Sequence, residues 1–222
     1  MTPYELLVFF HILLFVFWLG ADLGVAICGA QFRNSRDYSV QERMTILKLL
    51  VMIDMGPRSA WALMIAGTVS LLAVGGYWAI PVWGVALAWA ISLFWLWLVW
   101  QIHGAGQTPE AAGLKKMEMV LKWALAAFYL GLGTWSLAMD APLQPDWLAA
   151  KSVIFGLIFA AAIMIDLMFR PVGPLLMTLL SEGSSAATET RLLHTMNRSR
   201  FWVRVTYILL VAVAFLGTTQ PF

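Results

Sequence analysis

One imidazole and one ammonium stand out in this chain because of the side chains around them. His11 lies in FFHILLFVFWLGADLG (residues 9–24), an apolar run whose next ionisable group is Asp22. At the depth of lipid tails an imidazole needs a hydrogen-bond partner, a metal or a bound ligand, because leaving it unsatisfied costs several kcal/mol. The eleven positions from His11 to Asp22 make three helical turns and roughly 20° more, so His11, Trp18 and Asp22 fall on one stripe, expected to face the interior of a bundle. Two kinds of chemistry fit His11: a hydrogen bond to a Ser, a Thr or a carbonyl on a neighbouring helix, or an axial bond to haem iron or another metal. Lys151 stands one turn past Trp147, about 6 Å into its own apolar run and near the depth of His11. It either reaches out to headgroups or Asp146, or offers a cation to a carboxylate-bearing ligand. His103 and His194 fall at the other membrane boundary, most of a bilayer away, so neither can share an iron with His11.

Further charges gather near that second boundary: Asp22, Asp54, Arg58, Asp166 and Arg170. The spacings Asp54–Arg58 and Asp166–Arg170 are i,i+4, so each acid is expected to meet its arginine on one helix face. Such pairs either solvate each other or form a cluster that takes up protons or binds a partner. The chain has 12 methionines, and MIDM (52–55) and MIDLM (164–168) superficially resemble copper-binding pairs, but Met is an ordinary filler of apolar helices. The single cysteine, Cys28, rules out an internal disulfide and any CxxC motif. No phosphate-binding glycine loop, serine or cysteine triad, zinc cluster or nucleic-acid surface is present, which sets those classes aside.

The elements that must carry these groups follow from composition. Of 222 residues, 61% are hydrophobic and 12% charged, against about a quarter charged in soluble domains. The apolar residues fall into six runs of membrane-spanning length, about 4–30, 57–79, 82–103, 117–139, 147–169 and 201–219. The expected fold is all-α: a single domain, residues 1–222, forming a bundle of six transmembrane helices. The first run reads as a retained span, since no Lys or Arg precedes it and the residues before Cys28 do not suit a lipoprotein cleavage site. Residues 39–56 mix apolar positions at helical spacing with Glu42, Arg43 and Lys48 and read as an amphipathic extension, with the second span starting at Pro57. Thirteen of the 14 basic residues, all but Lys151, fall on one side, so both termini are expected to face away from the cytoplasm. Trp95, Trp97 and Trp100 at one boundary and Trp78, Trp83, Trp135 and Trp147 at the other suit interfacial belts. Gly20 and Gly24, and Gly131 and Gly133, would let helices approach closely.

HILLFVFWLGADLG near the start, WLAAKSVIFGLIF at 147–159 and the last span RFWVRVTYILLVAVAFLGTTQPF together resemble the membrane protoporphyrinogen oxidases of the HemJ type and the broader superfamily that holds the CopD copper-resistance proteins. In those oxidases the first helix carries a His followed seven residues later by a Trp, matched by His11 and Trp18. A later helix opens with Trp-Leu and a Lys, matched by Trp147, Leu148 and Lys151, and GLGTW (131–135) is similar to the glycine-containing second helix of the family. The resemblance implies a b-type haem on His11, with Trp18 in the cofactor site and Lys151 binding a propionate or the tetrapyrrole substrate. It also implies a multi-pass protein of the plasma membrane, the inner membrane in a bacterium. The chain departs from the oxidases in having six spans where they resemble a four-helix bundle, the additional pair falling at the hairpin 57–103. From the CopD members it departs in lacking an outer wealth of His and Met.

Three functions follow as expectations. The first is a haem-b oxidoreductase passing electrons between a reduced substrate, protoporphyrinogen IX by resemblance, and a quinone or a membrane redox partner, with Lys151, Met139 or water as the second iron ligand. The second is a CopD-like copper transporter. The third is a non-catalytic subunit, as a homo-oligomer or within a larger complex, that holds another membrane protein or docks a soluble partner on its Arg-rich face.

Overall fold

The computed structural model describes residues 1–106 and 108–221; Phe222, which ends the Pro-Phe terminus noted above, lies outside them. The described residues are helical, with no strand among them: α1 (Pro3–Phe32), α2 (Val40–Val74), α3 (Val82–Ala105), α4 (Pro109–Met139), α5 (Asp146–Phe169), α6 (Val172–Glu182) and α7 (Ala186–Thr219). Six helical stretches are long and apolar enough to cross a bilayer, α5 counting together with α6. These are the helices of a multi-pass membrane protein.

Local sequence explains where they begin. Thr2 and Ser39 close capping boxes with Glu5 and Glu42, each hydroxyl accepting from the glutamate amide while the carboxylate accepts from the cap amide. Thr108 caps α4 and Ser185 caps α7 through Thr188, while Pro81, Pro145 and Pro171 stand at the N-caps of α3, α5 and α6. One expectation fails here. The second helix does not start at Pro57; α2 runs unbroken from Val40, with Pro57 buried in its middle. A proline inside a helix forfeits one hydrogen bond and costs about 3 kcal/mol in water. Membrane helices tolerate it because neighbouring helices re-satisfy and clamp the backbone, and α2 is packed against both α1 and α3.

Neighbours in space follow the chain, α1 on α2, α2 on α3, α3 on α4, α4 on α5, and then α5 on α7. The central core is aromatic. Trp61 of α2 stacks on Trp18 of α1 at 5.2 Å and meets Trp95 at 4.8 Å and Phe159 at 4.7 Å, while Tyr129 stacks on Phe159 at 6.0 Å. Lipid tails are as apolar as these rings, so what holds them together is close packing, to which each aromatic pair adds about 0.5–1.5 kcal/mol. A smaller core at one end joins Phe32, Leu176, Leu179, Leu192 and Met196, and another at the opposite end joins Leu72, Leu143, Trp147 and Leu148. Glycine sets the α4–α5 crossing: a Cβ on Gly133 would stand 2.6 Å from the Ala149 carbonyl and the Val153 amide, and one on Gly156 would stand 2.8 Å from the Leu130 amide. Gly131 and Gly20 face open space, and at Gly24 a Cβ would only touch Ile53, so the expected Gly20–Gly24 seam is half a seam.

Candidate functional site

The stripe of α1 faces inward as its spacing requires. His11 lies against α2, where its Nδ1 is 3.4 Å from the Thr68 hydroxyl oxygen. Gly67 beside it leaves room for Phe10 and Leu14 of α1, whose atoms lie 3.5–3.6 Å from where a Cβ would be. His11 makes no other hydrogen bond among the described residues. The hydroxyl can accept or donate, so the contact serves either tautomer; in the one where Nδ1–H donates to Thr68, Nε2 keeps its lone pair and can ligate. Two turns on, Trp18 is 5% exposed and lies between Trp61 and Phe155, so it belongs to the aromatic core.

Lys151 is half-buried on α5. Its Nζ occupies the space a side chain at Gly217 of α7 would need, 2.6 Å from that position. Among the described residues no carboxylate, Asp146 included, pairs with it. Lys151 thus meets α7, and α7 also touches α1, the helix of His11, through the Tyr207 hydroxyl on the Asp22 carbonyl. Met139, by contrast, is 60% exposed at the end of α4.

The second polar region is a network in the opposite half of the bundle. Lys122 of α4 is 4% exposed in its side chain and binds Glu118 at 3.0 Å and Asp166 of α5 at 2.9 Å. Trp95 donates its indole N–H to the same Glu118 oxygen at 3.2 Å, and the ammonium stands 5.9 Å over the Trp61 ring. Asp54 pairs with Arg58 at 2.5 Å, as its spacing predicts. Asp166 does not pair with Arg170; it reaches across to Lys122 because that cation is buried with no water to solvate it, whereas Arg170 is exposed. Separately, the backbone carbonyl of Asp22 of α1 accepts from the Tyr207 hydroxyl of α7 at 3.0 Å.

Sequence reasoning missed Thr68, Glu118 and the burial of Lys122. The Glu118–Lys122 spacing of four was a readable signal; the Thr68 contact spans two helices and had none. His103 is exposed and packs edge-on against Trp100, and His194 is exposed on α7. Among the described residues no three His, Cys, Asp or Glu converge as a metal chelate would require. His11 offers a single ring nitrogen and Lys151 a single ammonium, each on its own helix. Compared with family models, with curated proteins and with solved structures, the chain matches none.

Proposed function

We propose that this protein is a membrane haem-b oxidoreductase, passing electrons between a reduced substrate and a quinone or redox partner. The substrate implied by the resemblance to the HemJ-type oxidases is protoporphyrinogen. One observation carries the reading: among the described residues His11 has one ring nitrogen engaged by Thr68 and the other without a partner, and Lys151 is paired with no carboxylate. A metal-ligating histidine is commonly oriented by a hydrogen bond to its second nitrogen, as Thr68 is placed to make here. His11 would supply the axial nitrogen and Lys151 the cation for a propionate. A haem bound there supplies one-electron exchange at its iron. The protein's own part is to orient the imidazole through Thr68, keep Lys151 against Gly217, and exclude water with Phe10, Leu14 and the Trp18 core. Among the described residues no three His, Cys, Asp or Glu stand together, so the copper-transport alternative would rest on the methionines.

The test is the visible spectrum of the purified protein, oxidised and reduced, after production with ample haem. The expected result is a sharp reduced band that His11→Ala abolishes, with Thr68→Val weakening haem retention roughly 10–100-fold and Lys151→Gln weakening it less. A protein that stays colourless, or a band indifferent to His11→Ala, overturns the proposal. A colourless protein that binds copper through its methionines, or survives purification only with another membrane protein, would establish one of the other two functions.

A further inference from the structure

Where α5 turns into α6, two adjoining hollows of ≈ 260 Å³ and ≈ 470 Å³ open along α7 and meet at Thr195, which lines both. Their basic groups are Arg191, His194 and Arg198, at positions i, i+3 and i+7 of α7 and hence on one stripe, with the backbones of the two arginines about 10 Å apart along the axis. Their opposite wall is apolar: Leu167 and Met168 from the last turn of α5, and Leu175 from α6. No acidic side chain lines either hollow. The acids nearest in sequence are engaged elsewhere, Asp166 with Lys122 and Glu189 with Arg43 at 2.6 Å. The hydroxyls of Thr190 and Thr195 are also taken, donating to the carbonyls of Ala186 at 2.7 Å and Arg191 at 3.1 Å. The groove therefore offers guanidinium and imidazole donors and a hydrocarbon wall, with no competing negative charge.

We infer that this groove between the α5–α6 elbow and α7 binds the anionic headgroup of a membrane phospholipid. Charge and position both favour a lipid over a soluble acidic protein. The apolar wall continues the last turn of a membrane-length helix, so acyl chains can lie along it while the phosphate meets Arg191 and Arg198. Basic pockets at helix ends on the positively charged side recognise anionic headgroups in this way, and guanidinium forks suit phosphate oxygens. The hollows are two, so a lipid with two phosphates, or two single-phosphate lipids, would fill them.

The experiment is native mass spectrometry of the full chain released from neutral detergent, with phosphatidylglycerol or phosphatidylcholine added. The variants are Arg191→Gln/Arg198→Gln, and Arg36→Gln as a control of equal charge type on the exposed α1–α2 loop. All three side chains are exposed, so folding is expected to survive, and retained thermal unfolding midpoints check this. The expected result is retained phosphatidylglycerol, little phosphatidylcholine, and binding weakened on the order of 30-fold by the double substitution and unchanged by Arg36→Gln. Equal retention of both lipids, full retention by the double variant, or displacement by millimolar inorganic phosphate would overturn the inference. So would preferential binding of an acidic soluble protein to the same arginines in lipid-free protein. None of these readouts depends on haem.

Discussion

Lys122 pairs with two carboxylates through one ammonium, from a position 4% exposed in its side chain. Removing one partner from a buried ion cluster is far more harmful than removing all of them, because the charge left behind has neither water nor counter-ion. Lys122→Met is therefore expected to destabilise the protein by about 3 kcal/mol, chiefly by stranding the buried Glu118, since Asp166 is partly exposed. The triple variant Lys122→Met, Glu118→Gln, Asp166→Asn is expected to recover most of that loss, since it leaves no charge behind. Thermal unfolding in detergent, comparing the single and triple variants, checks the ordering; a triple variant no better than the single would show that the network stabilises by more than mutual neutralisation. Arg43 plays a comparable part at the α6 end. It is 1% exposed, pairs with Glu189, donates Nε–H to the Phe32 carbonyl at 2.7 Å and stands over the Phe32 ring. One side chain thus ties the end of α1 and the start of α2 to the start of α7.

At the scale of elements, the α4–α5 crossing rests on two glycines. A Cβ at Gly133 would meet backbone atoms of α5 at 2.6 Å, and backbone cannot rotate away as a side chain can. Gly133→Ala should force the helices apart and cost at least about 1–3 kcal/mol, the usual penalty of overpacking. Gly131→Ala, facing open space, should be neutral or slightly stabilising, since Ala is the better helix former. Unfolding midpoints of the two variants, side by side, decide whether the close approach is as tight as the structure has it. The sequence marked both glycines without separating them, because which one meets α5 depends on helix rotation. It located all six apolar runs well but stopped α4 short at residue 117 and α7 at 201, where the helices begin at Pro109 and Ala186. Hydropathy reports the lipid-facing stretch, and these polar first turns are carried by caps and by the Phe32–Leu192 core. The same blindness hid α6, whose apolar face packs on other helix ends. At the candidate site His11 and Lys151 were legible from depth alone. Thr68 and the Lys122–Asp166 pairing were not, because both join different helices.

Over the whole molecule, the helices alternate in direction, so the ends bearing Arg33, Arg43, Lys115, Arg170 and Arg191 lie together while Lys151 stands near the other end, beside Trp147. This distribution predicts that the two termini face away from the cytoplasm. Single cysteines placed at Thr2 and at Ala112, in a Cys28→Ser background, should react with a membrane-impermeant maleimide from opposite sides of intact cells, the first without lysis and the second only after it. Labelling in the reverse order would invert the topology, and with it the face on which His11 and Lys151 would meet their ligand. Both polar regions also hang on one rod. α2 carries Thr68 in one half and Asp54 and Arg58 in the other, with Arg43 beyond them. Pro57 has no amide proton for the Ile53 carbonyl, so the hydrogen-bond ladder of α2 lacks one rung there. Pivoting there would move Thr68 relative to Arg43 without unfolding either half, so strain applied at one membrane face has a mechanical route to the other.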